Sequence, residues 1–295
     1  MAEEWDYHLF GLRVRSEIPL PELRREPVAD SADVTIALGP IPPEAENEGT
    51  VFSFDGAGRY WIADGNFILV EPAADSPSAN VRLYLLGSAM GMLLHQRGML
   101  PLHANAIRFG DRAAAFMGHS GAGKSTLAAL FHDRGHEVIA DDVCVVGFDE
   151  AGNPFATAGI PRLRLWQDSL AATGRTAAGF QLSYAGDEQF KKFDVPLSAE
   201  SQTSQTPLAA IYLLEKSDTL SFNPLNGAEA VGALFANTYR GAFVRSAGDP
   251  REHWGSVVRL TQRVPIFRLG RPWNLESMGD DLDRIGDHAL NVLPL

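Results

Sequence analysis

The sequence predicts an α/β fold in which a small β-rich domain precedes a larger domain built around a glycine-rich loop. Short apolar segments separated by turn residues fill the first 80 residues, whereas strand-like and helix-like segments alternate after them. Residues 71–80 are rich in Pro, Asp and Ser, which is a linker composition. We therefore expect an N-terminal domain over residues 1–80 and a second domain over residues 81–295.

Turn signals define the N-terminal strands. Extended segments at residues 7–18 and 33–38 are followed by three short apolar runs, which are separated by Asp-Gly-Ala-Gly and Asp-Gly-Asn. Turns of this kind join neighbouring antiparallel strands. The pattern predicts a small β-meander over residues 51–54, 59–63 and 67–70.

The second domain is expected to begin with a helix. Leu86, Met90 and Leu93 trace one face of a helix over residues 81–97, and Gly98 is placed to end it. Further along the chain we expect strands at 102–109 and 112–117, a helix at 125–134, a strand at 136–140, an extended segment at 162–166, a polar and mobile segment at 173–204, a strand at 207–214, helices near 231–239 and 254–258, a strand at 264–269 and an acidic C-terminal helix.

Composition narrows the class of protein. The chain has 295 residues, of which 45% are hydrophobic and 21% are charged, and its formal charge is −12. This balance is typical of a soluble globular protein and disfavours nucleic acid or an anionic membrane as a partner. The N-terminus lacks a targeting pattern, so we expect a cytoplasmic protein, with homo-oligomers allowed. The single cysteine, Cys144, follows an apolar pattern that predicts a buried side chain.

A complete phosphate-loop motif lies between the predicted strand at 112–117 and the predicted helix at 125–134. In this motif, backbone N–H groups of the glycine-rich turn surround phosphate oxygens, Lys124 reaches the β- and γ-phosphates, and Ser125 can bind Mg²⁺. The sequence therefore predicts a site for a nucleoside triphosphate, with ATP and Mg²⁺ as the expected ligands. The residues of the phosphate loop are Gly118, His119, Ser120, Gly121, Ala122, Gly123, Lys124, Ser125 and Thr126.

Two adjacent carboxylates, Asp141 and Asp142, follow the predicted strand at 136–140. Because neighbouring strand residues point to opposite faces, one can serve the metal while the other reaches a different group, such as an acceptor hydroxyl. This division is typical of phosphoryl transfer, in which positioning and charge neutralisation provide most of the catalysis.

Three segments resemble the catalytic domain of bacterial HPr serine kinase/phosphorylase, which shares its phosphate-loop fold with phosphoenolpyruvate carboxykinase. They are Leu-His-Ala-Asn-Ala-Ile at residues 102–107, the phosphate loop, and Arg-Gly-His-Glu-Val-Ile-Ala-Asp-Asp at residues 134–142. The resemblance implies that residues 81–295 form a kinase domain and that Lys124 holds phosphates. It also implies that Ser125 and Asp142 serve the metal, that Asp141 is the general base toward a serine hydroxyl, and that Asp142 and His103 support it.

One departure from that family concerns the phosphate loop. HPr kinases carry a glutamate directly after the Lys-Ser of the loop, whereas this chain has Thr126. The chain is more similar to shorter HPr-kinase-related proteins, including kinases of lasso-peptide precursors, in residues 10–23, 159–166 and 207–215 and around residues 191–192. This resemblance implies a peptide serine as the phosphate acceptor, and we expect the β-rich N-terminal domain to help to recognise that substrate.

Basic residues outside the phosphate loop are further candidates for the site. Arg162 and Arg164 share one face of a predicted strand, where their guanidinium groups could bind the transferring phosphoryl group or a peptide carboxylate. Lys191 and Lys192 lie in a polar segment that could close over ATP. Asn105 shares a strand face with His103 and is a weaker candidate.

Three functions remain open at this point. The first is an ATP- and Mg²⁺-dependent serine kinase that acts on a peptide or protein, with a lasso-type precursor as one such peptide. The second is a kinase of the same fold that acts on a small metabolite. The third is a nucleotide-binding regulatory protein without catalysis, which the departure at Thr126 favours.

Overall fold

The first sheet forms because buried and half-buried residues alternate along its strands. The computed structural model describes residues 3–185, 191–197, 205–273 and 278–292. A seven-stranded sheet takes the order β3-β1-β2-β4-β7-β6-β5, and its last three strands form the predicted antiparallel meander. The strands are β1 (Trp5–Leu9), β2 (Leu12–Ser16), β3 (Arg25–Glu26), β4 (Val34–Leu38), β5 (Thr50–Phe54), β6 (Gly58–Ala63) and β7 (Phe67–Pro72), with a short helix α1 (Ala45–Glu48) before β5.

A long helical segment follows this sheet, as the apolar spacing predicts. It consists of α2 (Ser78–Tyr84), a π-helical turn (Leu85–Ala89) and α3 (Met90–Gln96), and Gly98 follows its end with φ +67°. Its apolar face packs into one core with the N-terminal sheet. The expected boundary near residue 80 falls inside α2, and the division into two domains stays a prediction.

The remaining strands form a large mixed sheet and a small antiparallel one. The large sheet has nine strands in the order β11-β9-β10-β17-β13-β12-β8, with β19 paired to β17 and β18 paired to β19. The small sheet has the order β14-β16-β15. These strands are β8 (Leu100–Leu102), β9 (Ala104–Phe109), β10 (Arg112–Met117), β11 (Val138–Ala140), β12 (Cys144–Phe148), β13 (Pro154–Thr157), β14 (Arg162–Trp166), β15 (Gln181–Leu182), β16 (Lys192–Pro196), β17 (Gln205–Lys216), β18 (Ser221–Leu225) and β19 (Ile266–Arg271).

Helices cover both faces of the large sheet, which makes the fold a mixed α/β architecture. Along β10, Ala114 and Phe116 pack with α4 and α9, whereas Ala113 and Ala115 pack with α6 and α8. This alternation follows from the two-residue period of a strand, and it explains why β10 is apolar along nearly its whole length. The remaining helices are α4 (Lys124–Asp133), α5 (Gln167–Ala172), α6 (Gly227–Ala236), α7 (Val244–Ala247), α8 (Pro250–Thr261) and α9 (Met278–Asn291).

The parallel strands β10, β17 and β19 place their carboxyl ends at a common edge of the large sheet. We call this edge, together with the loop at 118–123 that follows β10, the loop edge. Ligands of open α/β sheets bind beside the carboxyl ends of such strands. Within the described ranges, no helix combines the length and apolar character needed to cross a membrane.

Two details of the predicted elements are corrected. The segment at 173–204 was expected to be polar and mobile, but β16 pairs with β14 and buries Phe193 and Val195 against the core. Residues 186–190 and 198–204 of that segment lie outside the described residues. The helix near 231–239 ends at Ala236, so Tyr239 lies beyond it, and β18 was not expected.

Candidate active site

The phosphate loop has the local structure that its motif requires. Residues 118–123 connect β10 directly to the first turn of α4, and Gly118, Gly121 and Gly123 have φ values of +156°, +86° and +82°. Glycine adopts these angles without strain. A Cβ atom on Gly123 would lie 2.6 Å from Arg271 Nη2, so a larger residue here would displace the Arg271 side chain. The N-terminal N–H groups of α4 face the loop and suit a phosphate group.

The buried Lys124 is held by the loop that it follows. Its Nζ donates to the carbonyl oxygens of Gly118 (2.7 Å) and His119 (3.2 Å). Burial lowers the pKa of Lys124 to about 8, although Asp142 and Asp141 oppose this shift. Asn105 does not reach the phosphate side of the loop. Its Nδ2 donates to the Lys124 backbone carbonyl (2.5 Å), so Asn105 supports the first turn of α4.

The two adjacent carboxylates after β11 contact different atoms of Arg164 and otherwise have different partners. Asp141 accepts hydrogen bonds from Ser125 Oγ (2.9 Å) and from the backbone N–H of Arg164 (2.8 Å). Asp142 accepts one from Arg164 Nη1 (3.0 Å), and its other oxygen lies 3.8 Å from His103 Nδ1. Asp142 has φ +71°, a left-handed backbone conformation that is uncommon outside glycine and is found at functional sites.

The pKa values of the two carboxylates are shifted in opposite directions. Burial raises the pKa of Asp141, and the neighbouring Asp142 charge adds to the rise, while the hydrogen bonds to Asp141 oppose it. Burial would also raise the pKa of Asp142, but the charges of Arg164, His103, Lys192 and Lys124 outweigh it and lower the pKa to about 2. Asp142 is therefore a carboxylate at neutral pH.

His103 lies between β8 and β9, with its ring parallel to that of Tyr239 and the ring centroids 6.0 Å apart. Burial lowers the pKa of His103 to about 4, although the Asp142 charge opposes the shift. The imidazole is neutral at pH 7, so its contact with Asp142 is not an ion pair under those conditions.

Arg162 and Arg164 do share one face of β14, but both guanidinium groups are engaged by carboxylates of the chain. Arg162 Nη1 donates to Asp194 Oδ2 (2.6 Å), and Arg164 bonds to Asp142 and lies 3.9 Å from Asp194 Oδ1. Arg162 is buried and does not line the main cavity. The contacts therefore support a structural role for Arg162 rather than the expected binding of a phosphoryl group or peptide carboxylate.

The adjacent lysines of the polar segment differ in position. Lys192 lies opposite Trp166 in the β14–β16 register, with its Nζ 5.2 Å from the indole centroid, and it lines the main cavity. Lys191 precedes the strand and is exposed, away from the cavity lining. The structure thus brings one of these lysines to the candidate site and leaves the other outside it.

A cavity of about 810 Å³ joins these residues. The loop residues Gly118, His119 and Ser120 contribute to its lining. A second group of lining residues is called the carboxylate wall and consists of His103, Asp142, Arg164, Lys192 and Tyr239. Residues 83–88 and 236–242 close the cavity further.

Among the cavity residues that were not predicted as part of the site are Tyr239 and Arg240. Tyr239 was assigned to the apolar face of a helix, and Arg240 was not considered. Arg240 has φ +52° and its guanidinium lies over the Tyr239 ring, 5.7 Å from the centroid. The polar pair Asn237-Thr238, directly after the apolar residues of α6, is the sequence signal that could have placed both residues in a loop.

The oxygen atoms present fit a magnesium ion that is shared with a phosphate ligand. Ser125 Oγ and Asp141 Oδ1 lie 2.9 Å apart at the start of α4, and Mg²⁺ is typically bound by one or two protein oxygens, phosphate oxygens and waters. Within the described residues there is no cluster of three or more His, Cys, Asp or Glu side chains that could bind a metal alone.

Thr126 and Cys144 are explained by structure. Thr126 Oγ1 donates to Ser169 Oγ of α5 (2.9 Å), so this side chain joins α4 to a neighbouring helix. Cys144 is buried, as predicted, and burial raises the pKa of its thiol to about 12. A thiol with this pKa is not a nucleophile at neutral pH.

Comparison with known proteins gives a limited result. No family model matches the chain, and no curated protein does. Among solved structures, the chain is similar to the HPr(Ser) kinase/phosphatase from Coxiella burnetii, with 14% identity and a TM-score of 0.33, covering 63% of this chain and 95% of that one. At this identity and TM-score the similarity does not assign a function, which we therefore argue from the site geometry.

Proposed function

We propose that this protein is an ATP- and Mg²⁺-dependent kinase that transfers the γ-phosphoryl group to a serine hydroxyl of a peptide or protein. One observation carries the proposal: a phosphate loop and a carboxylate wall face the same cavity. The Ser125–Asp141 pair lies at the start of α4, and the Asp142–His103–Arg164 group lines the cavity together with loop residues 118–120. A site for phosphoryl transfer needs these two halves, one for the phosphates and one for the acceptor.

The loop side binds the triphosphate. Backbone N–H groups of the loop and of the first turn of α4 donate to phosphate oxygens, and the Lys124 ammonium group neutralises their charge. Ser125 and Asp141 are the residues that would hold Mg²⁺, which supplies charge neutralisation on the β- and γ-phosphates when it is bound. A fully protonated Asp141 could not do so, and metal ligation favours its ionised form.

The carboxylate wall receives the acceptor. We assign the general base to Asp142 and the metal side to Asp141, which exchanges the roles that the sequence resemblance implies. Asp142 lines the cavity and has one oxygen not bonded to Arg164, whereas both oxygens of Asp141 accept hydrogen bonds from Ser125 and Arg164. The neutral His103 beside Asp142 can orient the acceptor hydroxyl.

In the proposed transfer step, the γ-phosphoryl group passes from ATP to the serine oxygen and ADP leaves. The serine oxygen forms a bond to the γ-phosphorus while the bond between this phosphorus and the β–γ bridging oxygen breaks, and the serine proton passes to Asp142. The low pKa of Asp142 makes it a weak base, but phosphoryl transfer with a loose transition state depends more on position than on base strength. Lys192 and Arg164 lie beside the charge that develops during transfer.

The size of the cavity supports a second candidate acceptor. About 810 Å³ falls within the range of small-molecule pockets, about 300–1,000 Å³. Residues 3–80, the described part of the N-terminal region, contribute none of its lining residues, so an acceptor recognised by the N-terminal sheet would have to extend out of the cavity. A serine of a peptide, including a lasso-type precursor, can do so, whereas a metabolite would be contained within it.

Single-turnover transfer from γ-labelled ATP tests the proposal directly. We expect Mg²⁺-dependent label on a serine peptide from a broad panel, and none with Lys124→Ala. Label on metabolites alone would favour the second candidate. Tight ATP binding without transfer to any peptide or metabolite would instead support a regulatory nucleotide-binding protein, and unchanged triphosphate affinity in Lys124→Ala would contradict the loop assignment.

A further inference from the structure

The loop edge carries a second group of side chains that the proposed transfer does not use. Because β10, β17 and β19 are parallel, the phosphate loop after β10 lies beside the last residues of β17 and β19. Lys216 ends β17, Arg271 ends β19, and Trp273 follows two residues later. Lys216 and the phosphate loop are far from Arg271 and Trp273 in the sequence, and the strand order brings them together.

The strand end is attached to the loop through Arg271. This arginine is 2% exposed, its Nη2 lies 3.5 Å from the Ala122 carbonyl oxygen, and its Nη1 lies 3.3 Å from Met278 Sδ. Burial lowers the pKa of Arg271, and only Asp281 opposes that shift. The backbone beside Trp273 therefore has a fixed position relative to the phosphate loop.

Trp273 is exposed although it lies beside this buried arginine. Its side chain is 40% exposed, its ring centroid lies 5.9 Å from that of His119 in the loop, and Lys216 Nζ lies 5.7 Å from the indole centroid. A large aromatic surface open to solvent next to a phosphate loop is suited to stacking with a flat heterocycle.

The geometry of in-line transfer favours the Trp273 side of the phosphate loop as the position of the nucleoside. In-line transfer places the acceptor oxygen and the leaving diphosphate on opposite sides of the γ-phosphorus. The acceptor side is the carboxylate wall, so the diphosphate and nucleoside extend away from it. Trp273 does not line the cavity, and His119 contacts both the cavity and Trp273.

We propose that Trp273 is the stacking surface for the base of the nucleoside triphosphate, with His119 and Lys216 at its border. This inference rests on the proposed triphosphate site. Trp166 is the competing surface, because it lines the cavity beside Lys192. A base on Trp166 would occupy the volume that the acceptor needs, which is why the geometry favours Trp273.

Calorimetry with ATP and with inorganic tripolyphosphate, both with Mg²⁺, tests this inference. Base stacking contributes enough that Trp273→Ala should raise the Kd for ATP by about tenfold or more, with the Kd for tripolyphosphate unchanged. Trp273→Phe should retain most of the ATP affinity because a phenyl ring also stacks. The matched control is Trp254→Ala, since Trp254 is 54% exposed, packs on Phe235 and lies on α8, and it should change neither Kd.

Results that contradict the role of Trp273 can be distinguished from results that contradict the proposed function. An unchanged ATP Kd in Trp273→Ala, or a selective loss of ATP affinity in Trp166→Ala instead, would overturn the inference while leaving the triphosphate site intact. Wild-type protein that binds tripolyphosphate as tightly as ATP would also overturn it. Wild-type protein that binds neither would overturn the proposed function itself, and the inference with it.

Discussion

The loop edge and the carboxylate wall are built in opposite ways. Backbone atoms of one continuous segment, residues 118–123, form most of the loop edge, and its geometry follows from glycine conformations and a helix start. The carboxylate wall consists of side chains from five separate places in the sequence, which are joined by the Arg164–Asp142 ion pair and by contacts of His103 with Asp142 and Tyr239. The conformation of the phosphate loop is therefore sensitive to changes in local backbone geometry, whereas the carboxylate wall is sensitive to the loss of single charged side chains.

The largest effect is expected at the adjacent carboxylates, each of which serves one half of the site. Asp142→Asn removes the proposed base, so kcat should fall by about 100- to 10,000-fold with little change in Mg²⁺ dependence. Asp141→Asn should instead raise the Mg²⁺ concentration needed for half-maximal transfer. Rates measured across a Mg²⁺ titration distinguish the two variants, and the reverse result would restore the roles implied by sequence resemblance.

The next effect concerns the stability of the carboxylate wall. Arg164→Gln leaves the largely buried Asp142 without its guanidinium partner and should lower the free energy of unfolding by about 3 kcal/mol. Arg59→Gln is the matched control, because Arg59 pairs with Glu71 at 2.9 Å on the exposed N-terminal sheet, and such surface pairs contribute about 1 kcal/mol or less. Urea unfolding measures both, and equal losses would show that the Arg164 pair is only a surface contact.

Acid should weaken the carboxylate wall through His103. The pKa of His103 is lowered from 6.5 to about 4 in the folded protein, so the unfolded state binds more protons between these values. The neutral His103 therefore makes its full contribution to the free energy of unfolding above pH 6.5, and this contribution falls as the pH drops toward 4. Between pH 6.5 and 4 the free energy of unfolding should therefore fall by about 1–3 kcal/mol less in His103→Gln than in wild type. Urea unfolding at each pH measures this difference. Parallel pH profiles for the two proteins would contradict this assignment.

Sequence patterns predicted the loop edge because its information is local. The glycine spacing, the apolar strand before Gly118 and the helical spacing after Lys124 are all contiguous, and the structure contains that strand, loop and helix. The carboxylate wall was predicted only in part. Asp142 and Arg164 were candidates, but their mutual pairing depends on how β14 packs beside β11, which no local pattern encodes.

Tyr239 of the carboxylate wall illustrates the same limit. Tyr239 has the hydrophobic character of a helix face, and its apolar spacing with α6 predicted a helix through it. In the structure α6 stops at Ala236, and the backbone carbonyl of Tyr239 accepts a hydrogen bond with His95 Nε2 (2.8 Å), a residue 144 positions earlier. Contacts at this separation decide where the cavity lies, and hydrophobic periodicity does not report them.

The smallest expected effect tests whether the loop edge depends on local geometry alone. Gly123→Ala and Gly135→Ala both place a Cβ on a left-handed backbone, at φ +82° and +85°, and each should cost about 1 kcal/mol of stability for that reason. Only at Gly123 does the new Cβ meet another group, Arg271 Nη2, at 2.6 Å, whereas no atom lies within 4 Å at Gly135. Arg271 must then move away from the loop.

We therefore expect Gly123→Ala to weaken ATP binding by about tenfold, about 1.4 kcal/mol, while Gly135→Ala leaves ATP affinity unchanged. Urea unfolding and calorimetry on the same samples separate the shared backbone cost from the displacement of Arg271. If both variants bind ATP equally well, the loop edge tolerates movement of Arg271. Its geometry would then be fixed by the backbone of the phosphate loop without support from β19.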